Sequence, residues 1–120
     1  MSIDKLDLFE DIAVSMESWI KATSEALENP DAELIWVDEK EPYERIQRAI
    51  ANAGISDSDL KCVISECLRG FAVSILTMID GGTELSEKGQ VYLVDSDGNS
   101  FGDGLHDAFI MYLINTGRLK

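Results

Sequence analysis

Between Leu60 and Ile79 apolar side chains recur at three- and four-residue steps: Leu60, Val63, Ile64, Cys67, Leu68, Phe71, Ile75 and Ile79. That period lays a stripe several turns long on an α-helix. From Gly70 onward the helix becomes apolar on nearly every face, so it calls for other elements around it, and Gly70 permits a close approach or a break. Ser56-Asp57-Ser58-Asp59 offers N-caps and early acids at its start, and Asp80-Gly81-Gly82 terminates it. This is the predicted central helix.

Three more helices follow from the same logic. Phe9, Ile12, Ala13, Met16, Ile20, Thr23 and Leu27 mark one face of a helix over residues 7–28, which Asn29-Pro30 ends because proline disfavours helical geometry before it and brings no donor. Glu41-Pro42 opens a short helix with Tyr43, Ile46, Ala49, Ile50 and Ala53 on one face, closed by Gly54. Leu105, Phe109, Tyr112 and Leu113 mark a last helix to about Thr116, stopped by Gly117. The β-branched, acid-bounded run Glu33–Asp38 suits a strand, and Gln90–Val94 followed by the turn chemistry of Asp95–Asn99 suggests a hairpin. The expected fold class is α+β: a mainly helical single domain of about four helices spanning 1–120, with a small β-hairpin or short sheet.

A chain of 120 residues with 45% apolar and 8% aromatic content can bury about two thirds of its unfolded surface without a metal or disulfide staple. The outlier is a net charge of −13. Such a field repels nucleic acid phosphates and anionic membranes and steers in a basic protein. Asp4, Asp7, Glu10 and Asp11 oppose a secretory signal. The apolar run around Phe71–Ile79, interrupted by Ser74 and Thr77, is too short to span a bilayer. Cys62 and Cys67 match neither a redox motif nor a zinc spacing, and both read as reduced, with Cys67 on the core face. Together these features predict a cytoplasmic protein with no cofactor and no metal.

No catalytic constellation emerges. The single histidine, His106, lies among Asp103, Gly104 and Asp107, but no serine or cysteine stands in a motif that would present it as a nucleophile. Asp95, Asp97 and Asn99 fill the first, third and fifth positions of a calcium loop, yet Ser100 replaces the turn glycine and His106 the closing carboxylate. With 23 acids, accidental carboxylate pairs carry no information. What separates from this background is Asp31–Glu44, where six carboxylates surround Leu34, Trp36 and Tyr43 against only Lys40. Aromatic anchors ringed by acids have the composition of an interface for a cationic partner.

The segments Phe71-Ala72-Val73-Ser74-Ile75-Leu76-Thr77-Met78-Ile79-Asp80-Gly81-Gly82, Tyr92-Leu93-Val94-Asp95 and Leu105-His106-Asp107 resemble small acidic bacterial immunity-type proteins of polymorphic and contact-dependent toxin systems. The resemblance covers the C-terminal half. It implies a cytoplasmic inhibitor that neutralises a cognate toxin domain, often a basic nuclease, and carries no family-wide binding residues with it. The expected partner-binding residues, Trp36, Asp38, Glu39, Glu41 and Tyr43, come from composition alone. The alternatives are a small hydrolase or metal-binding enzyme built on His106 with Asp103 and Asp107, and a homo-oligomeric structural or regulatory domain.

Overall fold

The computed structural model describes residues 3–120 and is all-α. Its four α-helices are α1 (Lys5–Glu28), α2 (Lys40–Ala53), α3 (Asp57–Ile79) and α4 (Leu105–Asn115), with a 3₁₀ turn at Glu84–Glu87 before the last. The chain divides into two compact units, one made of the residues up to Ser15 with Arg69–Lys120, the other of Met16–Leu68.

Local chemistry sets the helix ends. Asp4 and Asp7 cap α1 reciprocally: Asp7 N–H donates to the Asp4 carboxylate at 2.9 Å and Asp4 N–H to that of Asp7 at 3.1 Å. Gly54 closes α2 in the left-handed region, where only glycine sits without strain. Ser56 Oγ accepts the Asp59 N–H at 3.1 Å to open α3.

In the first unit Phe9 and Ala13 of α1, Leu76 of α3, and Leu105, Phe109 and Leu113 of α4 are buried, and the Phe9 and Phe109 rings meet at 5.4 Å. Beyond α4, Arg118 forks onto the Glu10 carboxylate with two contacts of 3.0 Å, and Tyr112 donates its hydroxyl to the same carboxylate. The start of α4 is built differently from the other three. Gly104 at its N-cap has no side chain to offer, so Asp80, just past the end of α3, reaches across 25 positions to accept the Leu105 and His106 N–H groups at 2.9 Å each. Gly82 makes the return possible: a Cβ there would stand 2.7 Å from Thr77 Cγ2.

In the second unit Ala26, Ile50, Ser24 and Gln47 are buried. The face of α2 that turns inward therefore includes Gln47, while Ile46, Ala49 and Ala53 lie exposed, a rotation away from the expected stripe. Gln47 fits because its amide donates to the Ala26 carbonyl at 2.6 Å and the Asn29 carbonyl at 3.4 Å, satisfying acceptors that the end of α1 leaves open.

Three expectations need correction. The α+β class and its hairpin or short sheet do not form: among the described residues strand pairing is limited to one isolated bridge, Val94 with Ser100. Asp95 Oδ1 draws in the Asp97 and Asn99 N–H groups at 2.9 Å each, and Gly102 turns the chain with φ +88° before a second arm can grow. A lone two-stranded ribbon is marginal even when uninterrupted. Glu33–Asp38 is a turn, with Val37 N–H on the Leu34 carbonyl at 3.2 Å and no neighbouring strand to pair with. Finally, Cys67 is exposed rather than in the core, as is Cys62. The apolar stripe of α3 splits in two, with Leu60, Ile64 and Leu68 partly covered while Val63, Cys67, Phe71 and Ile75 face outward. The apolar character of α3 also extends over more residues than the run Phe71–Ile79. Among the described residues it is the one helix long and apolar enough to cross a membrane by length and composition, with a mean hydropathy of 1.7 in its most apolar 18 residues.

Replacing Asp80 by alanine strands two helix N–H groups and should lower unfolding stability by about 2 kcal/mol. Gln47→Ala should cost about 1 kcal/mol by releasing the carbonyls of Ala26 and Asn29. Urea denaturation of each variant against the parent chain measures both.

Candidate functional site

The turn that replaces the expected strand holds Trp36 where it meets two other rings. Its indole lies edge-on to Trp19 of α1, with centroids 5.2 Å apart and planes at 79°, and edge-on to Tyr43 of α2 at 5.7 Å and 79°. Edge-to-face geometry of this kind is the favoured arrangement for aromatic quadrupoles. The cluster is not a core. Trp36 keeps 40% of its surface exposed, Trp19 is likewise exposed and Tyr43 is half-buried.

Two of the five expected binding residues, Trp36 and Tyr43, are thus in direct contact. The other three, Asp38, Glu39 and Glu41, are exposed on the few residues that join the Trp36 turn to the first turn of α2. Among the described residues no ion pair engages any of the three. Next to Trp36, Ile35 is 86% exposed, the largest fraction among the exposed large apolar side chains, and it lines a cleft of 490 Å³ together with Pro30, Leu34, Lys40, Glu44 and Gln47. Trp19 is the participant that sequence reasoning missed. It borders the apolar stripe of α1, three residues after Met16 and four before Thr23, and a tryptophan at that spacing is the signal that could have found it.

The second candidate centre surrounds His106. Its Nδ1 hydrogen-bonds Asp80, and its Nε2 stands 3.5 Å from the exposed carboxylate of Asp107. Asp80, with 5% of its side chain exposed, is therefore shared between the imidazole and the two N–H groups at the start of α4. Burial alone would raise the Asp80 carboxyl, but the imidazole and the two N–H donors outweigh it and hold the carboxyl below its ordinary value. The same hydrogen bond from Asp80 raises His106 above 6.5, against some desolvation and with help from Asp107. A carboxylate that orients an imidazole is half of a catalytic relay. The other half is missing: among the described residues no hydroxyl or thiol hydrogen-bonds the ring. Asp103, which the enzymatic alternative requires, makes no contact with His106 in these pairings, and the cluster reads as the cap of α4.

In the Asp95–Asp103 loop the first of the candidate ligands, Asp95, is engaged by the loop's own backbone. Asp95 accepts the Asn99 and Asp97 N–H groups, which hold its carboxyl below the ordinary value despite some desolvation. Among the described residues no group of three or more His, Cys, Asp or Glu side chains is placed to hold a metal ion.

The Asp80–His106 pair fixes a pH signature. His106, raised in the folded state, contributes stability that is complete below about 6.5 and is lost as pH climbs through its folded value; Asp80, lowered, contributes stability that is complete above about 4 and is lost as pH falls through its own. The melting temperature should therefore be highest between those limits. Its alkaline decline should be absent in His106→Gln, and NMR titration of the imidazole should show a midpoint above 6.5. Compared with known proteins, the chain matches no family model, no curated protein and no solved structure.

Proposed function

We propose that this chain is a non-catalytic, cytoplasmic binding protein of the immunity type, which neutralises a basic toxin domain through the surface around Trp36. The observation that carries the reading is the ring cluster of Trp19, Trp36 and Tyr43, with both indoles exposed, beside Asp38, Glu39 and Glu41, which no ion pair among the described residues engages. Three large rings held against one another present a rigid contact area, and rigid aromatics bind without losing much rotamer freedom. Each half of the surface has a different task. The acids draw in a cation-bearing partner and set its register, while the indoles supply the desolvated contact that slows its departure.

The net charge of −13 favours the same kind of partner. A basic nuclease or other cationic domain gains from the long-range field before any contact forms. The enzymatic alternative lacks a comparable observation, since Asp80 already serves the start of α4 and no nucleophile adjoins His106.

The test uses the product of the adjacent open reading frame as the binding partner. Trp36→Ala should raise the Kd about thirtyfold, as the loss of an interface anchor does. Glu39→Lys should chiefly slow association and flatten its salt dependence. Because Trp36 also packs against Trp19 and Tyr43, circular dichroism and urea denaturation check that both variants keep the fold. An affinity untouched by the two substitutions together, or no complex at low salt, rejects this surface and role.

A further inference from the structure

We infer that the groove between the start of α1 and the loop around Asp95 binds a small organic cation with an apolar body, an aryl- or alkylamine whose ammonium pairs with Asp11. The groove lies wholly in the first unit, so the inference does not rest on the role assigned to Trp36 in the second. Its volume is 580 Å³, within the roughly 300–1,000 Å³ that ligand sites occupy. Leu8, Leu93 and Phe101 line it half-buried, and Ile3 and Val94 line it exposed. Apart from one serine, the rest of the lining is three carboxylates, Asp7, Asp11 and Asp95, with no basic residue among them.

Both walls are held by bonds of the chain itself. Asp4 and Asp7 fix the first turn of α1 by their reciprocal caps. Opposite, the Phe101 N–H donates to the Leu93 carbonyl at 3.0 Å, and Asp95 gathers the Asp97 and Asn99 N–H groups. These bonds also distinguish the three acids. Asp7 and Asp95 each commit an oxygen to backbone N–H groups, whereas among the described residues no hydrogen bond or ion pair engages Asp11. The helix gains nothing from an acid there. Asp11 is the seventh residue of α1, past the turn where the dipole favours negative charge, and it stands four residues from Asp7, a like-charge spacing that opposes helix formation. A cation beside Asp11 offsets that repulsion.

Charge complementarity selects the occupant. An anion entering the groove meets three carboxylates and the field of a chain of −13. A bare metal ion needs ligands that converge, and among the described residues no three such side chains do. A neutral apolar molecule covers the half-buried side chains but leaves Asp11 beside it without a partner. An amine meets both demands: its body covers Leu8, Leu93 and Phe101, while its ammonium makes a charge-assisted hydrogen bond to Asp11.

Titration of the full chain with phenethylammonium, followed through backbone amide shifts by NMR, provides the test. Saturable shifts are expected at Leu8, Asp11, Leu93 and Phe101 with a midpoint of about 1 mM, the scale open to a ligand of so few atoms. Phenethyl alcohol, which keeps the body without the charge, should bind at least about tenfold more weakly, as should methylammonium, which keeps the charge without the body. Asp11→Asn should weaken binding about tenfold. Glu87→Gln, which removes an exposed charge outside the groove lining, should leave the midpoint in place. The shift map of the parent chain needs no variant and keeps the test decisive if a substitution disturbs the fold. A curve that does not saturate by about 10 mM, equal binding of the alcohol, equal effects of the two substitutions, or shifts that avoid the groove each overturns the proposal. So does argininamide binding there more tightly than the amine, which would make a side chain of a protein partner the occupant.

Discussion

Helix α4 begins without a capping side chain of its own, and the first unit depends on Asp80 to supply one. Its carboxylate is nearly buried, yet every demand that burial creates is met: two backbone N–H donors and an imidazole converge on its two oxygens. Because those donors lie at the N-terminus of a helix, the macrodipole adds to the attraction. Leu105, one of the two capped residues, is wholly buried, and four residues on Phe109 packs its ring against Phe9 of α1. The hydrophobic contacts of this unit thus have their register fixed by a polar interaction.

Where the information was local, the sequence was legible. Pro30, Gly54, Ser56, Gly81 and Gly117 mark helix ends to within a few residues, and the stripes on α1 and α4 turn inward as their periods require. Strand composition proved a poorer guide. A β-branched run becomes a strand only with a neighbour to pair with; Glu33–Asp38 is a turn, and Gln90–Val94 finds only the single bridge of Val94 with Ser100, so side-chain-to-backbone hydrogen bonds and turns settle the local geometry. Asp80 reads as the stop of α3, while its second role, at the start of α4, lies 25 positions away and leaves no periodic trace. Similarly, Trp36 and Tyr43 are close enough in the chain for composition to associate them. Trp19 joins them only through the path of α1 and the turn after it.

Two surfaces of opposite character result. Around Trp36 apolar rings stand beside free negative charge, a combination that favours cations. Along α3 the apolar residues stand almost without charge, a combination indifferent to the sign of a partner.

The grip of Asp80 on Leu105 and His106 also brings the two ends of the intervening segment together. That segment holds only the Glu84–Glu87 turn and one bridge as regular structure, and most of it is exposed. Once the ends of a loop are clamped, lengthening it is inexpensive, since each doubling adds only about 0.6 kcal/mol of closure entropy. The stretch around Asp97 and Gly98 is therefore where this scaffold can accept a grafted peptide or reporter tag while the helices keep their places.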